Sequence, residues 1–175
     1  RMTSYYAISS GQVSKAHWRA LARTMSRCGR YAGPVAWTGT MFEFFMPELL
    51  LTSREGSLSY ESLKYALYCQ KRRSKPFGIS ESGYYAFDRE LNYQYKAHGV
   101  QKLGLKAGLD RELVISPYSS FLTLTSDPVA SYNNLVLLQR AGAENPAYGF
   151  YEAVDYTFSR TGKKAVVKSH MAHHV

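Results

Sequence analysis

The pattern along this chain is mostly helical, carried by a series of separate stretches. The connections between them are long, rich in aromatic residues and punctuated by glycine, and that alternation limits the fold more than any other feature. The clearest helix is predicted over 59–73, where Tyr60, Leu63, Ala66 and Leu67 form an apolar face and Lys71, Arg72 and Arg73 fall in the last turn. Cations there complement the helix dipole, so the basic run has a structural purpose without a ligand. Asp127 followed by Pro128 reads as an N-cap and first helical position, opening a helix to about Arg140, before Gly142. A first helix is predicted over 14–27, closed by Gly29. The apolar run 41–51 should kink or restart at Pro47, which lacks a backbone donor. Between 76 and 127, Gly78, Gly83, Gly99, Gly104 and Gly108 interrupt any longer period. The expectation is an all-α, mostly helical fold with long aromatic-rich loops and no internal repeat.

The 175 residues amount to about one domain, 1–175, with enough apolar content to bury a core. Lys and Arg outnumber Asp and Glu by 22 to 13, a net charge of +9 that would suit nucleic acid, anionic membranes or phosphate. The distribution argues otherwise. Lys15, Arg19, Arg23 and Arg27 recur every four positions beside a second stripe of Trp18, Leu21, Ala22 and Met25, the pattern of an amphipathic helix with a basic solvent face. No nucleic-acid-binding motif accompanies it, so no nucleic-acid partner is expected. Cys28 and Cys69 lack Cys-x-x-Cys spacing and read as two buried free thiols. No stretch approaches the ~20 apolar residues that span a bilayer. Arg1 precedes polar and aromatic residues, so no signal peptide is expected, and the missing initiator methionine suggests a piece of a longer protein.

Three glutamates sit in unusual company. Glu43 follows Trp37-Thr38-Gly39-Thr40, Glu81 lies within Gly78-Ile79-Ser80-Glu81-Ser82-Gly83-Tyr84-Tyr85, and Glu152 within Tyr148-Gly149-Phe150-Tyr151-Glu152-Ala153-Val154-Asp155. Glycosidic-bond chemistry uses two carboxyl groups across the scissile bond, one of them kept protonated. An apolar, aromatic surround raises a carboxyl pKa toward that role, and glycine lets a backbone approach a ligand closely. Each glutamate also fits a hydrogen-bonded structural carboxylate, and Asp155 a cap or bridge. In the closing Ser169-His170-Met171-Ala172-His173-His174, His170 and His174 stand four apart, as on one helical face. They read as helix-face or substrate-contact histidines in preference to zinc ligands. No Gly-x-Ser-x-Gly elbow and no phosphate-binding Gly-Lys loop occurs. No metal and no organic cofactor is expected.

These motifs carry a resemblance. WTGTMFEFFMPELLL (37–51), GISESGYYAFDRELNYQYKAHGV (78–100), KLGLKAGL (102–109), ELVISP (112–117), YGFYEAVDYTFSR (148–160) and SHMAHH (169–174) resemble, in order, the glycoamylase-like middle region of bacterial cyclic β-1,2-glucan synthases. Those are inner-membrane proteins in which one region builds a linear glucan from UDP-glucose and another trims it. The middle region closes the ring by transglycosylation on an α/α toroid of helical hairpins. Related inverting endo-β-1,2-glucanases share that fold. The resemblance implies a partial toroid, because 175 residues with long loops supply too few helices for a whole one, and the family pattern continues before Arg1 and after Val175. It implies an incomplete module, soluble and not membrane-spanning itself, at the cytoplasmic face of the inner membrane within a membrane-embedded parent. The implied partner is β-1,2-glucan. Glu81 and Glu152 are the implied catalytic pair, with Glu81 as acid/base and Glu43, Asp88 and Asp155 in reserve. Trp37, Tyr84, Tyr85, Tyr93, Tyr151, His173 and His174 are the implied glucan contacts. Retaining transglycosylation is the first expectation. An inverting endo-β-1,2-glucanase and a non-catalytic glucan-binding or packing fragment are the alternatives.

Overall fold

The computed structural model describes residues 2–174, so Arg1 and Val175, at which the family pattern was expected to continue, lie outside it. Two short helices, α1 (Met2–Ser9) and α2 (Lys15–Ala20), lead into a hairpin of β1 (Met25–Cys28) and β2 (Tyr31–Pro34). The helix predicted over 14–27 therefore stops early, and its basic stripe runs on into a strand. The causes are local. Leu21 turns extended (φ −63, ψ 127), and the Arg23 guanidinium donates to the carbonyls of Leu21 and Trp18 at 2.9 and 2.6 Å, groups that a continuing helix would use itself. Gly29, at φ 57, then reverses the chain so that Cys28 pairs with Tyr31.

Thr40 caps α3 (Met41–Phe45) in a reciprocal box with Glu43, and the run restarts as a 3-10 turn over Met46–Leu49 that carries Pro47. Ser57 caps α4 (Leu58–Arg73) by accepting from the Tyr60 N–H at 3.2 Å. Its inner face buries Leu63, Tyr65, Ala66, Leu67 and Cys69. The buried Gln70 side chain reads both backbone groups of Ile79, donating at 2.8 Å and accepting at 2.9 Å, and so fixes the chain entering the next strand. That strand, β3 (Glu81–Phe87), pairs antiparallel with β4 (Tyr93–Ala97), with a register shift between Tyr84 and Phe87. β5 (Val114–Ile115), α5 (Pro117–Leu122) and α6 (Pro128–Arg140) follow. Asp127 caps α6 by accepting from the Ala130 N–H, as its sequence signature predicts. β6 (Glu144–Asn145) and β7 (Gly149–Phe150) form a small hairpin. β8 (Ala153–Asp155) is the centre of an antiparallel sheet in the order β5-β8-β9, with α7 (Phe158–Thr161) leading to β9 (Ala165–Val167).

The all-α expectation is overturned. The chain is 38% helix and 20% strand, in several small sheets, and is mixed α and β. The expected partial toroid of helical hairpins falls with it. The reason lies in the glycine-punctuated connections, where side chains alternate with a period of two: Tyr93, Tyr95 and Ala97 share one face of β4. Among the described residues, no helix is long and apolar enough to cross a membrane.

The main core joins Met41 and Phe45 to α4, Ile79, Leu103, Ile115, Leu138 and Val154. Tyr65 lies fully buried within it and donates to the Lys102 carbonyl at 2.6 Å, its phenol pushed up to about 12 by burial. Cys28 and Cys69 are both free, and burial pushes the Cys69 thiol up to about 12, which keeps it from acting as a thiolate. Gly33 packs directly on Tyr65: an added Cβ would stand 2.6 Å from the ring. Since the ring has nowhere to go, Gly33→Ala should destabilise by about 1–3 kcal/mol through overpacking. A lower urea midpoint at unchanged slope checks this.

Candidate active site

The β3 strand sets the geometry. Alternation places the side chains of Glu81 and Tyr85 on the face toward which a Cβ at Gly83 would also point. A Cβ at Gly83 would meet Glu152 Cγ at 3.2 Å, so the Glu152 side chain lies on that same face. Glu81 and Glu152 therefore flank one strip of strand, with Glu152 meeting it two residues beyond Glu81. The Gly83 N–H donates to Glu152 Oε1 at 2.8 Å, and Glu152 Oε2 lies 2.9 Å from His174 Nδ1. The Glu152 backbone N–H donates to the Ser169 carbonyl at 2.9 Å, which brings the histidine-rich segment across the glutamate. Its side chain is only 1% exposed. Glu81 is half-buried, and its carboxylate has no hydrogen-bond or ion-pair partner among the described residues.

Two tyrosines complete the arrangement. Tyr95 faces Gly83 across the hairpin. Tyr118, from α5, donates to the Glu81 carbonyl at 3.0 Å and shares a 2.7 Å hydrogen bond with Ser80 Oγ, which itself accepts from the Phe42 N–H. Burial raises both phenols above their ordinary value. The negative charges of Glu81 and Glu152 add to this for both, and so does the nearby Tyr95 for Tyr118, while the Ser80 hydrogen bond pulls the Tyr118 value down. They remain neutral donors at any working pH. The Tyr118 ring stacks on His174 at 3.8 Å and 16°, and His173 lies 4.1 Å from His174 with Nε2 3.4 Å from the Tyr95 hydroxyl. A cavity of about 560 Å³ opens here, lined by Phe42, Met46, Phe121 and Phe150 together with Tyr151, Glu152, His173 and His174. Its size and lining suit a small organic ligand. Glu81 is not itself among the lining residues.

The other sequence candidates lie elsewhere. The Glu43 carboxylate is consumed by the loop before α3, accepting from the N–H groups of Thr38 (3.0 Å) and Gly39 (2.8 Å) and from Thr38 Oγ1 (2.5 Å). Asp88 folds the β3–β4 turn. The Asn92 N–H and side chain and the Glu90 N–H hold its carboxyl below the usual range. Asp155 is fully buried. Burial acts to raise its carboxyl pKa, but hydrogen bonds from Arg160, Thr157 and Tyr85 outweigh that and hold it below the usual range.

Trp37 is 63% exposed and lines no part of the cavity. Tyr84 stands between Lys96 and Arg160, 4.4 and 4.7 Å from its ring centre. Tyr85 and Tyr93 cluster with Phe87 at 5.3 and 4.7 Å between ring centroids. The Tyr151 hydroxyl accepts from Asn145 at 3.1 Å, and its ring lies 5.3 Å from His170. His170 and His174 do not share a helix face, because no helix forms over 169–174. Among the described residues no cluster of metal-ligating side chains is found. Sequence reasoning missed Tyr95, Tyr118 and the role of Gly83. The period-two run Tyr93-Gln94-Tyr95-Lys96-Ala97 was the available signal for Tyr95; Tyr118 had none.

The fold these elements define is shared with glucoamylase-like proteins. A candidate glucoamylase from Bacteroides caccae matches 80% of this chain with a TM-score of 0.55 at 17% identity. An endo-β-1,2-glucanase from Chitinophaga pinensis, solved with sophorotriose and glucose, matches the same share with a TM-score of 0.50 at 16% identity. In sequence, 99% of the chain is 40% identical to part of the cyclic β-(1,2)-glucan synthase NdvB of Rhizobium meliloti. The chain is thus a relative of a segment of the cyclic β-1,2-glucan synthases, as its motifs imply. It spans 6% of that synthase's length and 36% of each solved structure. No family model matches it.

Proposed function

We propose that this chain is part of a carbohydrate-active domain that acts on β-1,2-glucan, with Glu81 and Glu152 as its reacting carboxyl groups. The observation that carries the reading is their unequal treatment on one face of β3. Glu152 has a hydrogen-bond partner on each oxygen, the Gly83 N–H and His174 Nδ1, and is held in place by both. Glu81 has no such partner among the described residues, which suits a group that must carry and release a proton. Glu81 is accordingly the acid/base and Glu152 the carboxylate that meets the sugar. The relationship to a cyclic glucan synthase and the apolar lining of Phe42, Met46, Phe121 and Phe150 support transfer to a sugar hydroxyl in preference to water. The finer proposal is retaining transglycosylation, in which Glu152 attacks the anomeric carbon as Glu81 protonates the leaving oxygen. Glu81 then takes the proton of the incoming hydroxyl as the glycosyl-enzyme bond breaks.

The test is turnover of linear β-1,2-glucan by the chain, beside Glu81→Gln and Glu152→Gln. Each variant should lose at least about 100-fold in kcat while binding oligosaccharide as before. Cyclic product that both variants lose supports transglycosylation. Shortened linear product would replace it with hydrolysis, and inert wild-type protein that still binds glucan would leave a non-catalytic binding fragment.

A further inference from the structure

The contact between Glu152 and His174 carries a second residue into the proposed chemistry. His174 is held on three sides: Nδ1 is 2.9 Å from Glu152 Oε2, the ring face stacks on Tyr118 at 3.8 Å, and His173 packs against it at 4.1 Å. Its side chain is 4% exposed, and Nε2 is buried without a hydrogen-bond partner among the described residues. With Glu152 read as the carboxylate that meets the sugar, its Oε2 can only accept, and Nδ1 carries the proton. The opposite tautomer would set two lone pairs against each other at 2.9 Å and leave an Nε2–H buried with no acceptor.

We propose that His174 is a positioning residue that orients the Glu152 carboxylate. Resting on the reading of Glu152 as a reacting group, this assigns His174 a task distinct from sugar contact. The Gly83 N–H holds Oε1 from the strand, and the Nδ1–H of His174 holds Oε2 from the C-terminal segment. Two donors from two separate segments leave the carboxyl plane one orientation. Tyr118 links this clamp to the backbone of Glu81, since the same residue that stacks on His174 donates to the Glu81 carbonyl. With the imidazole removed, Oε2 loses its donor and the carboxyl can turn about its last side-chain bond. A misplacement on the order of 1 Å costs about 100-fold in rate.

Asparagine and glutamine separate this role from simple packing. The amide nitrogen of asparagine stands where Nδ1 stands, and that of glutamine where Nε2 stands. Turnover of linear β-1,2-glucan should fall about 100-fold in kcat in His174→Ala with KM little changed. His174→Asn should recover most of the loss and His174→Gln little of it. Long-range proton–nitrogen NMR of the wild-type chain should find His174 Nδ1 protonated, with its signal displaced in Glu152→Ala. Unprotonated Nδ1, an unaffected kcat in His174→Ala, or equal rescue by Gln and Asn would each overturn the proposal. A chain that turns over no glucan yet keeps the protonated, Glu152-dependent Nδ1 would sink the catalytic reading and leave the clamp standing.

Discussion

Gly99→Ala should destabilise this fold by about 4 kcal/mol or more, although it adds a single methyl group. A Cβ at this buried position would stand 2.0 Å from the Thr38 carbonyl oxygen and 3.2 Å from Leu109 Cβ. The first neighbour is backbone, so no side-chain rotation relieves it. Nor can the loop carrying Thr38 step aside. Glu43 grips its N–H and hydroxyl, Val100 N–H donates to the Gly39 carbonyl at 3.2 Å, and Ala36 N–H donates to the Leu103 carbonyl at 2.8 Å. Gly104 faces the same oxygen, where its own Cβ would be 2.7 Å away. The 36–40 loop and the 99–104 segment are thus docked backbone to backbone, and glycine at 99 is what permits the approach. Either the clash stays or several hydrogen bonds break, at a cost of about 4 kcal/mol or more. That is a large share of the stability of a domain holding about 5–15 kcal/mol in all. Far-UV circular dichroism with a urea titration checks this. A midpoint close to wild type would mean that the Thr38 loop yields where its hydrogen bonds say it should not.

What was legible in the sequence was local. Asp127 and Pro128 announce their helix because a cap acts on N–H groups only two or three residues away. Pro47 announces the break after α3 for the same reason. The strands were not legible because they are short and held from a distance. β8 is buried at all three positions, Ala153, Val154 and Asp155, so it shows no alternation, and its partners lie in β5 and β9. The basic stripe at Lys15, Arg19, Arg23 and Arg27 misled because a spacing of four also keeps residues on one side of a strand.

The site divides in the same way. Glu43, Glu81, Glu152 and Asp155 share aromatic and glycine-rich surroundings in the sequence, yet Glu43 is saturated by donors from its own loop and Asp155 by Thr157, Arg160 and the distant Tyr85 N–H. Glu152 takes one donor 69 residues away and another 22 residues away. Only the folded chain tells the two kinds of carboxylate apart.

His98 should make this chain acid-sensitive well above the carboxylate range. It follows β4, is 1% exposed, and lies edge-on to Tyr84 at 5.7 Å. Burial pushes its imidazole down to about 4. Glu112, whose Oε2 is 3.5 Å from Nδ1, and Asp155 pull the other way, while Lys96 and Arg160 reinforce the drop. An exposed histidine in the unfolded chain titrates near 6.5. Between those values the unfolded chain takes up a proton that the folded one refuses, so stability is full above about 6.5 and drains as pH falls toward 4. A gap of about 2.5 pH units at ~1.4 kcal/mol each amounts to about 3 kcal/mol.

The carboxylates cannot mimic this. Glu112 and Asp155 are held below their usual range against burial by Lys96 and Arg160 and by Arg160 and backbone donors respectively. Their contribution is present above the unfolded carboxyl values near 4 and is lost only below them. His98→Phe keeps an aromatic edge against Tyr84 and removes the titrating group. Urea unfolding at steps from pH 7 to 4.5 should show a steep decline for the wild type and a shallow one for the variant, whatever their difference at pH 7. Parallel curves would mean that His98 gains its proton inside the fold, with Glu112 drawing it in more strongly than burial keeps it out.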